Sequence, residues 1–419
     1  MIAFLCGLLV ALWPLHGAVQ GTVPDTSRLD DLVEESLRAN PEIETERQQM
    51  AVMDSKIAQE GSLPPPELVL MREGMPAFRY ADAMFSRVEL MQMIPFPSKS
   101  STRREIAEID AGHAHHDHME KEFDVLYRLK SAYAELWYLQ QSIGLARRNG
   151  ALLRQTLAVV RARFGAGSAG QEEVLKAAVE NGRNDNLVVS LRQRELAAKS
   201  MIMALLNRAE PDTIGAAVLD DTLVLGATIA LLQERAAANR PMLLHDSLLV
   251  LEQKAFLSAA HEEYLPDFRL GIQYMTAPMT GFSGWSVTAG ITLPFAPWTI
   301  GARSAHVDES EAGLRRAGAA LDAGRAMVRA AIRENFDAAA ADKIQWETYH
   351  ASMLPAAEGA LRAALAAYGG GKGDILMVLD SARMLRDLTM ESLMLRMNFA
   401  RAIAGLEKEI GVRDLSFLR

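Results

Sequence analysis

The chain has 419 residues, 49% of them hydrophobic, enough for two or three ordinary domains with sizeable cores. Its formal net charge is -9 and its sequence pI is about 5.6, a balance that argues against nucleic acid as a partner. Aromatic residues make up only 6%, and the abundance of Ala, Leu, Arg and Met favours long helices.

The first apolar stretch, Ile2 to Trp13, is too short to cross a bilayer as a helix. Small residues follow at Gly17, Ala18 and Gly21. Residues 1–21 therefore read as a secretory signal peptide, although no Lys or Arg precedes Arg28. A buried N-terminal helix is the competing reading. The one cysteine, Cys6, lies in this stretch. Its removal would leave no disulfide, no thiol chemistry and no cysteine to carry a lipid. No later segment reaches the roughly 18 consecutive apolar residues of a transmembrane helix. An exported chain of this kind enters a membrane only as a β-barrel.

Five landmarks recur in the same order at offsets of 200, 202, 199, 204 and 204 residues. Asn40-Pro41 returns as Asn239-Arg240-Pro241, and Leu63-Pro64 as Leu265-Pro266. Ile94-Pro95-Phe96 returns as Leu293-Pro294-Phe295. Phe164 with Gly165 and Gly167 returns as Tyr368 with Gly369 and Gly371, and Val174-Leu175 as Val378-Leu379. The chain reads as a tandem duplication. The first repeat spans 22–206 and the second 230–413. The linker 207–229 carries Pro211 and the Asp220-Asp221 pair.

In chain order, residues 29–61 read as a helix interrupted at Asn40-Pro41, since proline disfavours helical geometry in the residue before it. Leu231 to Glu263 repeats this. A hairpin is predicted over 66–94, from Glu67–Glu73 and Met84–Ile94, with long helices over 101–206. The second hairpin, over 266–294, is cleaner. Phe268, Leu270, Ile272 and Tyr274 alternate with Arg269, Gly271 and Gln273; beyond Pro278, Gly281 and Gly284, Trp285, Val287, Ala289, Ile291 and Leu293 alternate with Ser286, Thr288, Gly290 and Thr292. Long helices over 302–411 follow, with Pro355 inside the first of them. Each pair of long helices meets at a glycine-rich turn, Gly165 to Gly170 and Gly369 to Gly373. The returning helices carry apolar seams, Val188, Leu191, Ala198, Ile202, Leu205 and Leu393, Met397, Ala400, Ile403, Leu406, Ile410, spaced as in coiled coils.

Four strands cannot close a barrel, and an open edge does not survive in lipid. The chain must share its barrel with copies of itself. Two copies give eight strands and a filled lumen; three give twelve and room for a channel. A water-soluble coiled-coil protein with incidental hairpins is the competing reading. The strict alternation and the export signal argue against it.

His113, His115, His116 and His118 form the only metal-like cluster. On a helix they make two pairs pointing in different directions, so four ligands cannot converge, and a solvated helix face is the simpler reading. Met71, Met75, Met84, Met91 and Met93 offer thioethers that suit soft metals, but barrel packing also explains them. No nucleophile elbow, phosphate loop or zinc-protease motif is present. Gly369-Gly370-Gly371-Lys372-Gly373 lacks the order of a phosphate loop. Neither an enzyme nor a cofactor is expected.

The paired motifs Arg163-Phe164-Gly165-Ala166-Gly167 through Val174-Leu175 and Tyr368-Gly369-Gly370-Gly371 through Val378-Leu379-Asp380 resemble the helical turns of TolC-type outer-membrane efflux proteins. The resemblance covers essentially the whole mature chain. Gly61-Ser62-Leu63-Pro64 through Leu68, with Pro95-Phe96-Pro97-Ser98-Lys99, resembles the CzcC/CusC-like heavy-metal branch. The family implies an α+β membrane protein acting as a homotrimer. Four strands per chain enter a 12-stranded transmembrane β-barrel in the outer membrane, and coiled-coil helices form an α-barrel tunnel through the periplasm. It implies a periplasmic adaptor and an inner-membrane transporter, of the resistance-nodulation-division type in that branch, as partners. The tips that meet the adaptor would be Arg163, Phe164, Gly165, Gly167, Tyr368, Gly369, Gly371 and Lys372. Acidic residues on the last helix would close the tunnel. Asp380 matches one such position, Met377 occupies the other, and Asp374 is a second candidate, with helix capping as the simpler role for either aspartate. The expected function is an efflux duct, with heavy-metal cations favoured. Type I protein secretion, drug export and a non-conducting envelope bridge are the alternatives.

Overall fold

The computed structural model describes residues 26–74, 83–209, 214–219, 225–277 and 280–414. The signal-peptide reading of 1–21, Met75, Pro211, the Asp220-Asp221 pair and Pro278 lie outside the described residues.

The chain opens with a two-residue strand, β1 (Thr26–Ser27), and two short helices, α1 (Leu29–Ala39) and α2 (Pro41–Glu60). The break falls at Asn40, whose backbone is extended, φ -68° and ψ 125°. Its side-chain oxygen accepts from the N–H groups of Glu42 and Ile43, 2.8 and 3.2 Å, capping α2. Its Nδ2 donates to the carbonyl of Leu205, 2.8 Å. The second half repeats the break between α5 (Ile229–Asn239) and α6 (Pro241–Glu262). There the buried Arg240 donates to the carbonyl of Lys408, 2.9 Å. Different side chains thus satisfy the end of a returning helix in the same place.

The strands β2 (Glu67–Glu73), β3 (Phe85–Ile94), β5 (Phe268–Ala277) and β6 (Phe282–Ile291) form one antiparallel sheet in the order β2-β3-β5-β6. β6 begins three residues before the alternation predicts, because Phe282 still pairs with Ala277. Register aligns the apolar positions into rows. Leu70, Val88, Tyr274 and Trp285 form one row, and Leu68, Leu90, Ile272 and Val287 the next. The intervening row, Val69, Glu89, Gln273 and Ser286, belongs to the opposite face. The outer edges of β2 and β6 have no strand partner among the described residues.

Two long helices leave this sheet. α3 (Pro97–Gly165) and α7 (Pro297–Thr348) start with proline at their first position, where the missing N–H costs nothing. Both therefore begin before the expected Ser101 and Ala302. α3 runs unbroken for 69 residues, about 100 Å at the usual rise. Its twin does not. Pro355 removes a backbone donor and crowds the carbonyl four residues back. The chain answers with a π turn at Tyr349–Met353 before α8 (Leu354–Gly369). That turn is tied to α9 (Ile375–Ile410): the Tyr349 hydroxyl donates to Glu391, 2.7 Å, and Ser392 meets Nε2 of His350, 3.0 Å.

The returning helix α4 (Gln171–Leu205) packs along α3, and α9 along α3, α7 and α8. Asn207, at φ +54°, takes the left-handed position that ends α4, and Gly411, at φ +76°, ends α9. The largest core joins α1, α3 and α4 around Leu129, Tyr133, Leu136, Leu139 and Ile202. There the buried Tyr133 hydroxyl donates to the carbonyl of Ser27, 2.7 Å, and accepts from the N–H of Val218, 2.8 Å. It pins the small parallel pair of β1 with β4 (Ala216–Ala217) to the long helix. Among the described residues no helix is long and apolar enough to cross a membrane.

Candidate functional site

The two glycine turns are built alike. In the first, the N–H of Ser168 reaches the carbonyl of Arg163 and that of Gly167 the carbonyl of Phe164, both 2.9 Å. In the second, Lys372 reaches Ala367 at 3.0 Å and Gly371 reaches Tyr368 at 3.1 Å. Gly167 and Gly371 sit at φ +74° and +76°, which only glycine adopts without strain. No atom lies within 4 Å of where a Cβ would stand at either, so backbone geometry alone selects glycine.

The two tips do not present the same surface. Phe164 is 48% exposed, whereas its twin Tyr368 is 4% exposed and packs with Leu153, Val160, Ile375, Val378 and Leu379. The Arg163 guanidinium lies 4.5 Å from the Tyr368 ring centre and donates to the Tyr368 carbonyl, 2.9 Å. The Tyr368 hydroxyl donates to Glu173, 3.3 Å. Burial first, then the Glu173 charge, raises the Tyr368 phenol above its ordinary value. Arg163 and Tyr368 thus clamp one tip to the other, leaving Phe164, Gly165, Gly167, Gly369, Gly371 and Lys372 on the outside.

Asp374 and Asp380 stand at the start of α9 in different roles. Asp374 is the N-cap, its carboxylate accepting from the N–H of Leu376, 2.9 Å. Asp380 is exposed, with Met377 and Met384 on the same helix face; Val378, Leu379 and Ala382 face the core. Arg383 approaches Asp380 at 3.3 Å from the next turn. Arg383 in turn grips Glu180 of α4, Nη2 to Oε2 2.7 Å, with Arg386 at 3.6 Å and Arg183 at 3.6 Å completing the surround. The Glu180 side chain is only 4% exposed. Burial alone would raise its pKa, but the Arg383 hydrogen bond and the surrounding guanidiniums outweigh it and hold the carboxyl below its usual range. Sequence reading missed Glu180. It sits in an ordinary polar stretch, and its partner lies 203 positions away.

The histidines are not gathered into a metal site. Among the described residues no three His, Cys, Asp or Glu side chains are placed to hold a metal ion. His115 faces Asp54 of α2 at 3.8 Å, His118 sits 4.0 Å from Glu122 on its own helix, and His113 and His116 turn toward α6. The helical spacing already separates them in this way.

At the other end, the apolar rows of the sheet have no cover: Leu70 is 71%, Trp285 70% and Val287 78% exposed. Phe295 and Trp298, where β6 gives way to α7, are exposed as well.

A four-stranded sheet whose outer edges have no strand partner among the described residues, carried on helical hairpins of this length, is the TolC-like fold of solved outer-membrane channels. Three solved structures with that fold resemble the chain. The Campylobacter jejuni CmeC outer membrane channel is 13% identical, with TM-score 0.78, 91% of this chain covered and 85% of that one. CusC, described for its conformational changes in folding and transmembrane channel formation, is 14% identical, with TM-score 0.78 and 92% of each chain covered. The outer membrane protein VceC of Vibrio cholerae is 17% identical, with TM-score 0.76, 92% of this chain covered and 96% of that one. No protein-family model and no curated protein matches the chain.

Proposed function

We propose that the protein is the outer-membrane duct of a tripartite efflux system, a passive conduit and not an enzyme. The observation that carries this reading is the sheet: four strands with, among the described residues, one uncovered apolar face and two unpaired edges. Such edges are tolerated in a bilayer only if neighbouring copies close them. Three copies supply the twelve strands that leave a lumen, so the assembly is a homotrimer with its barrel in outer-membrane lipid and its helices in the periplasm. The glycine-turn tips meet a periplasmic adaptor, and an inner-membrane transporter supplies the energy. Heavy-metal cations are the favoured cargo, on the resemblance to the CzcC/CusC-like branch. The two repeats, 22–206 and 230–413, each supply one hairpin and one helical pair.

Asp380 is the gate residue of this duct. Its exposed carboxylate lies one turn from the Arg383–Glu180 pair, so gate charge and helix position are linked. Asp374, committed to its cap, adds charge at the same mouth without moving.

Single-channel currents across planar bilayers test the reading, comparing wild type with Asp380→Ala. Low, cation-selective conductance that rises or loses selectivity on substitution is expected. Conductance indifferent to the substitution places the gate elsewhere. A folded trimer that never conducts, in either form, sinks the duct.

A further inference from the structure

Where α3 meets α6, next to the strands, ionisable side chains cross the contact in an unbroken series. Glu252 of α6 stands near Asp110 of α3, and burial first, then the Asp110 charge, raises the Glu252 carboxyl above its ordinary value. The Glu252 carboxylate lies 3.5 Å from Nε2 of His113. The His113 ring stands over that of His245, centres 4.3 Å apart and planes at 54°. His245 then reaches Asp117 of α3 at 3.7 Å and Asp246 of its own helix at 3.6 Å. His116 flanks the same group. Among the described residues, neither ring nitrogen of His113, nor Nδ1 of His116, has a hydrogen-bond partner.

The neighbouring elements are close. α7 sets Gly324 against Asp246, so tightly that a Cβ there would come within 2.7 Å of Oδ2. α2 contributes Asp54, which faces His115 and not the central pair.

We propose that this junction is a proton-sensitive clasp: neutral His113 and His116, set against His245, hold α3 against α6, and acidification charges them and loosens the contact. Burial disfavours the charged form of His113, and positive charge on the His245 ring 4.3 Å away would repel it. Burial, then the charge of His245, keeps His113 and His116 below the ordinary histidine value of 6.5. The unfolded chain accepts those protons at higher pH than the folded one. Stability of the junction is therefore complete above that value and declines as pH falls through it. Because α6 leads directly into β5, loosening is felt where the sheet joins the helices.

Hydrogen exchange of the full-length protein tests this, with protection corrected for intrinsic exchange rates. Peptides covering residues 105–120 and 241–255 are compared with a reference within 185–205. Between about pH 7.5 and pH 5, protection at the junction should fall about ten-fold while the reference holds. The double substitution His113→Gln, His245→Gln should abolish the fall. A fall shared by all helices, a fall that persists in the double variant, or no fall at all overturns the clasp. If the double variant does not fold, Asp117→Asn serves instead. It removes a carboxylate whose charge raises the His113 and His116 values, and should move the transition to lower pH; an unmoved transition overturns the proposal. None of these readouts depends on conduction.

Discussion

Arg383 on the last helix donates from Nη2 to Oε2 of the buried Glu180, 2.7 Å away and 203 positions earlier in the chain. The same guanidinium holds Asp380 from its other arm, 3.3 Å. One side chain therefore couples a buried carboxylate on the first helical pair to an exposed one on the second.

Glu180→Gln should destabilise the protein by roughly 2 kcal/mol, below the 3–5 kcal/mol of a fully buried pair because Arg383 is 38% exposed. Its three arginines lose their common counter-charge. In the proposed duct the same change should raise conductance. Denaturation and bilayer currents, taken together, check both effects. The pH dependence has a definite sign. Because the Glu180 carboxyl is held below 4.5, its contribution is complete above that value and lost as pH falls further. An acid step from Glu180 should thus lie well below the histidine-linked one, and Glu180→Gln should remove only the lower step.

Gly167→Ala and Gly371→Ala should each cost about 1–2 kcal/mol, since both positions need a left-handed backbone that a Cβ disfavours. Open space around both sites means that the loss is purely backbone strain. Equal losses in thermal or denaturant unfolding are expected. A loss at only one turn would show that the two tips are not equivalent in solution.

Val287→Arg and Ser286→Arg place the same side chain on opposite faces of β6. Insertion of folded protein into lipid vesicles should suffer by about 2–4 kcal/mol at Val287 and far less at Ser286. Equal sensitivity at the two positions would contradict the assignment of the lipid face.

Tyr133→Phe removes a hydroxyl that both donates to Ser27 and accepts from Val218. Loss of these two contacts at a buried site should cost about 1–3 kcal/mol. Faster exchange of the Val218 amide, with the sheet unaffected, would locate the effect at the β1–β4 brace.

Much of this architecture was written in short-range pattern. Asparagine and proline at 40 and 41 mark a helix break because their backbone preferences act within one residue. The alternation of Phe268 to Tyr274 with polar neighbours marks a strand and its apolar face, since side chains change sides at every step. The glycine turns are legible for the same reason, as a left-handed residue is a local demand. Pro355 was visible too, but whether the helix would break, kink or bulge depended on α9 offering Glu391 and Ser392 as anchors.

The functional side chains divide along the same line. The sequence alone determined which residues turn, alternate and wind, because φ, ψ and side-chain period are properties of neighbours in the chain. Only the tertiary structure decided that Tyr368 is buried while Phe164 is exposed, that Arg383 finds Glu180, and that His113 lies over His245. Those outcomes are contacts between helices more than a hundred residues apart, and no local propensity carries information about which partner will be waiting across the interface.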